Sequence, residues 1–242
     1  MTRVAIVTGV GRVEGIGFEV CRQLAAEGFT VLLSARRQSI ADSLAAQLAG
    51  QGNDVRGAAL DVTNVESVAE LVARVESDFG HVDVLINNAA GVTEFGQVPS
   101  TANLDAARSA MDVTLFGTWR TTQLLLPLLR RSPSPRVVNV SSGAGSHDDV
   151  AFGLHSGNGM GPGYGIAKAA LNALTDALAF ELRDTPVIVN AVCPGFTATF
   201  PGGESMGARP VRDGAASVMW AVRIPDDGPR GGFYRDGQPL PW

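Results

Sequence analysis

The sequence predicts an α/β fold: one domain built on a doubly wound parallel sheet, with helices on both faces. Three observations carry this. Short β-branched and aliphatic runs recur along the chain and are nearly continuous rather than alternating, as in strands covered on both faces. Helical patterns fill the intervals between them, so strand and helix alternate, which favours parallel pairing through crossovers. The length, 242 residues, suits one large core, and no stretch has the character of a linker, so residues 1–242 are read as a single domain.

The expected strands are Val4–Thr8, Thr30–Ser34, Val55–Leu60, Val82–Asn87, Val137–Val140 and Val187–Val192, with a last one at Gly232–Tyr234. The clearest helix spans about Asn64–Phe79 and gathers Val65, Val68, Leu71, Val72, Val75 and Phe79 on one stripe. Thr63 followed by Glu66 has the form of a capping box at its start. Another helix follows Gly17 and stops at Gly28. A third is expected over about Asn103–Leu129, and a fourth begins near Gly163 with Leu171, Leu174, Leu178 and Leu182 facing inward.

Composition narrows the function. Apolar residues make up 45% and charged residues 18%, which is globular. The net charge of −5 is spread along the chain and gives no basic stripe for nucleic acid. Met1–Gly9 runs straight into a strand pattern without a charged region and cleavage site, and no uncharged apolar stretch reaches the roughly 18 residues of a membrane helix. Cys21 and Cys193 lie far apart, so a reduced, cytoplasmic protein is expected. His81, His147 and His155 form no cluster with cysteines, and no metal site is expected.

Two motifs carry chemistry on their own residues. The first strand runs into Thr8-Gly9-Val10-Gly11-Arg12-Val13-Glu14-Gly15-Ile16-Gly17 and then a helix. Strand, glycine-rich turn and helix N-terminus make an anion site, because backbone N–H groups and the helix dipole face the pyrophosphate of a dinucleotide. The second motif is Tyr164 and Lys168, which share one helix face at i, i+4. A nearby ammonium stabilises tyrosinate and is expected to lower the phenol pKa from its usual value of about 10, giving a proton donor for a carbonyl oxygen. Alone, such a pair is usually a solvated surface pair. Its weight comes from its neighbours.

Those neighbours complete a pattern. TG…GIG (Thr8–Gly17), Asp61-Val62, NNA (Asn87–Ala89), NVSSGAG (Asn139–Gly145), YGIAK (Tyr164–Lys168) and NAVCPGFTAT (Asn190–Thr199) occur in the order of the short-chain dehydrogenase/reductase family. The chain resembles that family over almost its whole length. GIGFEVCRQLA, LLPLLRRSPSPRVVNVSSG and DDGPRGGFYRDG resemble its carbonyl-reductase branch. The resemblance implies a Rossmann-type sheet and NADPH-dependent reduction of a ketone or aldehyde, with the reverse oxidation open to the same residues. It assigns Tyr164 as acid/base, Lys168 to the nicotinamide ribose, and Ser142 rather than Ser141 to the substrate oxygen. The glycine loop (Gly9, Gly11, Arg12, Gly15, Ile16, Gly17) would hold the pyrophosphate. Asp61 and Val62 would flank the adenine, and Asn87 would begin the turn beneath the cofactor with Asn88 and Ala89. The Pro194–Thr199 turn (Pro194, Gly195, Thr197, Thr199) would cover the nicotinamide, with a substrate lid around 196–210.

Three departures from the family stand out. Five residues separate Gly9 from Gly15, where the family usually has three. The family's helix asparagine, which helps hold a water in the proton relay, falls at Thr114, whose hydroxyl is the expected replacement. Ser142 and Tyr164 are 22 positions apart, wider than usual, and the added Ser146–Met160 segment is expected to form a flap that carries His147 and His155 as exposed loop residues.

Cofactor choice is read at the end of the second strand, Leu33-Ser34-Ala35-Arg36-Arg37. A carboxylate there would bond the ribose 2′-OH of NAD. Instead Arg36, with Ser34 and Arg12, offers donors and positive charge to a 2′-phosphate, which makes NADPH the expected cofactor. Phe95, Phe152, Leu154, Met160, Phe196 and Phe200 are candidates for an apolar substrate pocket. An enoyl reductase is the alternative enzyme, argued against by the close Tyr164–Lys168 spacing. A non-catalytic dinucleotide sensor or scaffold is the alternative outside catalysis, argued against by the intact Ser142, Tyr164 and Lys168. The expected partner is a small carbonyl substrate, with a homodimer or homotetramer formed through the helices at Asn103–Leu129 and Gly163–Leu182, or a monomer if the added Ser146–Met160 segment blocks that face.

Overall fold

Every expected apolar run becomes a strand. The computed structural model describes residues 2–50, 52–93, 96–156 and 161–242. In chain order its elements are β1 (Arg3–Val7), α1 (Ile16–Ala26), β2 (Phe29–Ala35), α2 (Gln38–Ala49), β3 (Val55–Ala59), α3 (Val65–Asp78), β4 (Val84–Asn87), α4 (Leu104–Met111), α5 (Thr118–Leu129), β5 (Arg136–Val140), α6 (Pro162–Glu181), β6 (Ile188–Val192), α7 (Val211–Arg223), β7 (Phe233–Arg235) and β8 (Gln238–Pro239). The eight strands form one sheet in the order β3-β2-β1-β4-β5-β6-β7-β8, and all pairs are parallel except β7 with β8.

Successive strand residues point to opposite faces, which is why the runs are continuously apolar. Ala5, Val7, Val31 and Leu33 pack under α1, α2 and α7, through Leu24, Leu44 and Val218. Ile6, Leu32 and Leu85 pack under α3, α5 and α6, through Leu71, Leu125 and Leu171. Each fully buried leucine or isoleucine contributes about 1.5–3 kcal/mol. The order of strands reverses between β1 and β4, which opens a crevice beyond their C-terminal ends.

Several local expectations are corrected. The helix expected over Asn103–Leu129 runs through a π-helical segment, Asp112–Gly117, between α4 and α5. At the start of α3 the cap is Asn64, whose side chain accepts from the Ser67 N–H, and not Thr63, which turns its hydroxyl to Asp61. The helices α2 and α7 escaped the sequence reading, as did β8. Asp236 and Gly237, both at positive φ, join β7 to β8 as a two-residue hairpin turn. Among the described residues no helix is long and apolar enough to cross a membrane, and no group of His, Cys, Asp and Glu is placed to hold a metal.

Candidate active site

The crevice at the strand reversal is a cleft of about 1020 Å³ bordered by Gly9, Arg36, Leu60 and Ala89, residues just past the ends of β1 to β4. The turns after β1 and β4 that line it are tied together by the buried Thr8, a residue of the glycine motif with no role expected from the sequence. The Thr8 Oγ1 accepts from the N–H groups of Asn88 and Ala89, each at 3.0 Å. The Asn88 amide returns to the carbonyls of Thr8 (2.8 Å) and Gly9 (3.2 Å). Gly9 lies at φ +70°, and a Cβ there would stand 2.5 Å from the Ala89 Cα. A Cβ on Gly17, in the first turn of α1, would stand 2.7 Å from the Asn88 amide nitrogen. Glycine at both positions lets the two turns close on one another. Gly15 is the N-cap of α1 and Ile16 its first residue, while Gly11 and Arg12 are exposed on the loop.

Arg36 and Arg37 border the cleft beyond β2, and Arg36 is exposed. Ser34 is a correction: it is fully buried, and its hydroxyl donates to the Val7 carbonyl at 3.0 Å, so it faces the sheet interior and cannot serve a phosphate. Asp61 borders the cleft opposite. The Thr63 hydroxyl, bonded to it at 2.7 Å, holds its carboxyl below the usual range, with help from Arg36 and Arg120. Val62 is buried against Gly117 of the π segment and accepts from Arg120 through its carbonyl.

The second half of the site lies at the end of β5. Ser141 is buried and donates to the Asn172 side chain of α6 at 2.5 Å. Ser142, one residue on, lies on the opposite side of the extended backbone and hydrogen-bonds the Tyr164 hydroxyl. Lys168 is buried one turn along α6, donates its Nζ to the Val140 carbonyl at 2.6 Å, and stands 5.6 Å from the centre of the Tyr164 ring. Three residues that the sequence separates thus meet around one phenol.

The protonation states differ from the expected ones. Burial pushes the Tyr164 phenol up to about 12, only partly countered by the Ser142 hydrogen bond. Burial also brings the Lys168 ammonium down to about 8. The expected lowering of the phenol by the lysine is not found, because the same low-dielectric surroundings penalise both charged forms. Tyr164 is therefore firmly protonated at neutral pH.

Thr114 falls in the π segment, fully buried, with its Oγ1 accepting from the Gly91 N–H at 3.0 Å. It ties the loop after β4 to the helix. Asn87 is buried and bonds Thr122 and Asn139, joining β4 to β5 and α5. In the turn after β6, the Thr197 hydroxyl is directed at the carbonyls of Pro194 (3.2 Å) and Gly195 (3.1 Å), so it holds the turn rather than projecting from it. Thr199 is half-buried at the turn's far end. Of the apolar candidates, Phe152, Phe196 and Phe200 form a chain of rings with centroids 5.9 and 6.2 Å apart. Leu154 packs where a side chain on Gly165 would stand. Phe95 and Met160 lie outside the described residues. His147 and His155 are exposed, with rings 5.9 Å apart.

Residues 3–206 match the family model described as short chain dehydrogenase. The chain is 31% identical to a Saponaria officinalis protein named short-chain dehydrogenase/reductase 1, over 99% of this chain and 96% of that one. It is 29% identical to the Sus scrofa carbonyl reductase [NADPH] 1, over 100% and 94%. A metagenomic short-chain oxidoreductase solved in complex with NADP superposes with a TM-score of 0.75 at 27% identity, covering 93% of this chain and 92% of that one. The match spans both halves of the site, from the glycine loop to the turn after β6, and the chain belongs to the short-chain dehydrogenase family.

Proposed function

We propose that this protein reduces a ketone or aldehyde to an alcohol with NADPH, Tyr164 giving the proton to the carbonyl oxygen. The observation that carries the reading is the meeting of Ser142, Tyr164 and Lys168 at the end of β5, the strand next to β4, whose following loop lines the cleft that Arg36 also borders. The cleft suits the cofactor in chemistry as well as size. Glycines line the approach where a Cβ would collide, and the exposed Arg36 guanidinium at the cleft border offers a charged donor to a 2′-phosphate. When bound, the cofactor supplies the hydride.

This chain's residues do the rest. Ser142 and Tyr164 offer two hydroxyls to one carbonyl oxygen, stabilising the charge that develops there. Tyr164, protonated at neutral pH, donates its proton to that oxygen. The Lys168 ammonium, one helical turn away, favours the phenolate left behind. Phe152, Phe196 and Phe200 offer an apolar wall to a bulky hydrophobic carbonyl compound, and residues 196–210 act as the lid. Domain 1–242 works as one dinucleotide-binding unit.

Assembly belongs to the same reading. Leu104, Phe116, Trp119, Ile166 and Phe180 are exposed on α4, the π segment, α5 and α6, apolar side chains that a second copy packed on these helices would cover. Light scattering checks for a dimer or tetramer. The function is tested by following NADPH absorbance with ketones, aldehydes and quinones. Consumption with at least one carbonyl class, and faster with NADPH than NADH, is expected. No consumption by protein that binds NADPH overturns the reading.

A further inference from the structure

Behind the reacting groups lies a buried cluster that the proposed reaction does not use. Cys193 follows β6 directly, and its sulfur is buried. It accepts from the Gly143 N–H at 3.2 Å, from the Gly195 N–H at 3.4 Å, and from Nε and Nη2 of Arg235 at 3.4 and 3.3 Å. The first amide belongs to the residue after Ser142, and the second lies in the turn after β6. One sulfur therefore joins the serine loop to that turn.

Arg235 ends β7, just before the hairpin turn that fixes its place. Its Nη2 also donates to Asp149 Oδ2 at 2.7 Å. The Asp149 side chain is 6% exposed, and its Oδ1 accepts from the N–H groups of Ala151 and Phe152 at 3.0 Å. Gly143 is pressed against this pair: a Cβ there would stand 2.4 Å from Asp149 Oδ2 and 2.7 Å from Arg235 Nη2. Asp236, the next residue, pairs instead with Arg209.

We propose that Arg235 is a positioning residue, its guanidinium held between Asp149 and the Cys193 sulfur so that the Ser142 hydroxyl and the Pro194–Thr199 turn share one frame. The inference rests on the reaction proposed above. An ion pair with one partner buried and the other about a quarter exposed is a weak source of stability, since apolar side chains of similar volume fill such a space equally well. A planar fork that donates in fixed directions to two partners is what arginine alone supplies. Its value lies in geometry, because misplacing a reacting group by about 1 Å can cost about a hundredfold in rate. Through Asp149 the same fork also anchors the segment that carries Phe152 and Leu154 to the site.

The test compares Arg235→Met, Asp149→Ala, Asp149→Asn and the double variant Arg235→Met/Asp149→Ala. Arg235→Met and Asp149→Ala should each lower kcat by about tenfold to a hundredfold, with the KM for NADPH within about twofold, because the 2′-phosphate contact is remote. Asp149→Asn keeps an acceptor for the guanidinium and should recover most of the loss. The double variant should lose little more than either single one, since both break the same frame. Hydrogen exchange gives a readout besides activity: the segments holding Gly143 and Gly195 should exchange faster in Arg235→Met, while β1 and β4 are unchanged. A wild type that turns over carbonyls beside an Arg235→Met with normal kcat overturns the positioning role. A wild type without turnover overturns the reaction instead, and unchanged exchange at Gly143 and Gly195 then overturns the positioning role.

Discussion

Arg36→Ala gives the sharpest test of cofactor choice. NADPH and NADH differ only at the 2′ position of the adenosine ribose, far from the hydride. Arg36 stands exposed at the border of the cleft beyond β2. A hydrogen bond to a charged group is worth about 1.5–3 kcal/mol when shielded, and an exposed ion pair about 0.2–1 kcal/mol. The Asp61 carboxylate across the cleft, kept ionised by Thr63, offsets part of the charge. An intermediate value of about 1–2 kcal/mol follows, or about five- to thirtyfold in affinity. The contact changes little during hydride transfer, so Arg36→Ala should raise the KM for NADPH by that factor, leave kcat nearly constant and leave NADH almost untouched. Added salt should weaken NADPH binding more than NADH binding. Steady-state kinetics with both cofactors read this out. A wild type that prefers NADH, or a variant that loses both cofactors equally, refutes the assignment to Arg36.

Two further predictions concern the proton path. Reduction should be steady through neutral pH and fall as pH rises past about 8, where Lys168 loses its charge; Tyr164, held up to about 12, stays protonated throughout that range. A pH profile of kcat that stays flat to pH 10 contradicts the role of the lysine. Thr114→Val removes the acceptor of the half-buried Gly91 N–H, so it should lower unfolding stability by about 0.5–1.5 kcal/mol as well as slow turnover. Thr114→Ser should keep both, and thermal unfolding with kinetics checks it.

Much of the fold was legible because burial on both faces writes itself into strands such as β2, where every residue is buried. The Tyr164–Lys168 pair was legible because four residues bring side chains to one helix face. Ser34 was misread because a strand end does not announce which face a small polar side chain takes. The capping of α3 moved from Thr63 to Asn64, adjacent residues of nearly equal cap preference. The π segment Asp112–Gly117 has one glycine, Gly117 at its end, pressed against Val62, and a glycine at that place in a helical pattern does not announce a change of helix type. The hairpin after β7 has a readable signal in Asp236-Gly237, a dipeptide suited to a two-residue turn. Arg235, Asp149 and Cys193 were invisible, since they lie 42 and 86 residues apart and only the folded sheet edge brings them together.

The central claim is that the Tyr164 hydroxyl delivers the proton. Tyr164→Phe keeps the ring against Lys168 and removes only that group. With a carbonyl substrate that the wild type reduces, NADPH should still bind Tyr164→Phe with near-normal affinity, while kcat falls by at least about a hundredfold, the scale of general acid catalysis. Turnover of Tyr164→Phe within a few-fold of the wild type would contradict the account.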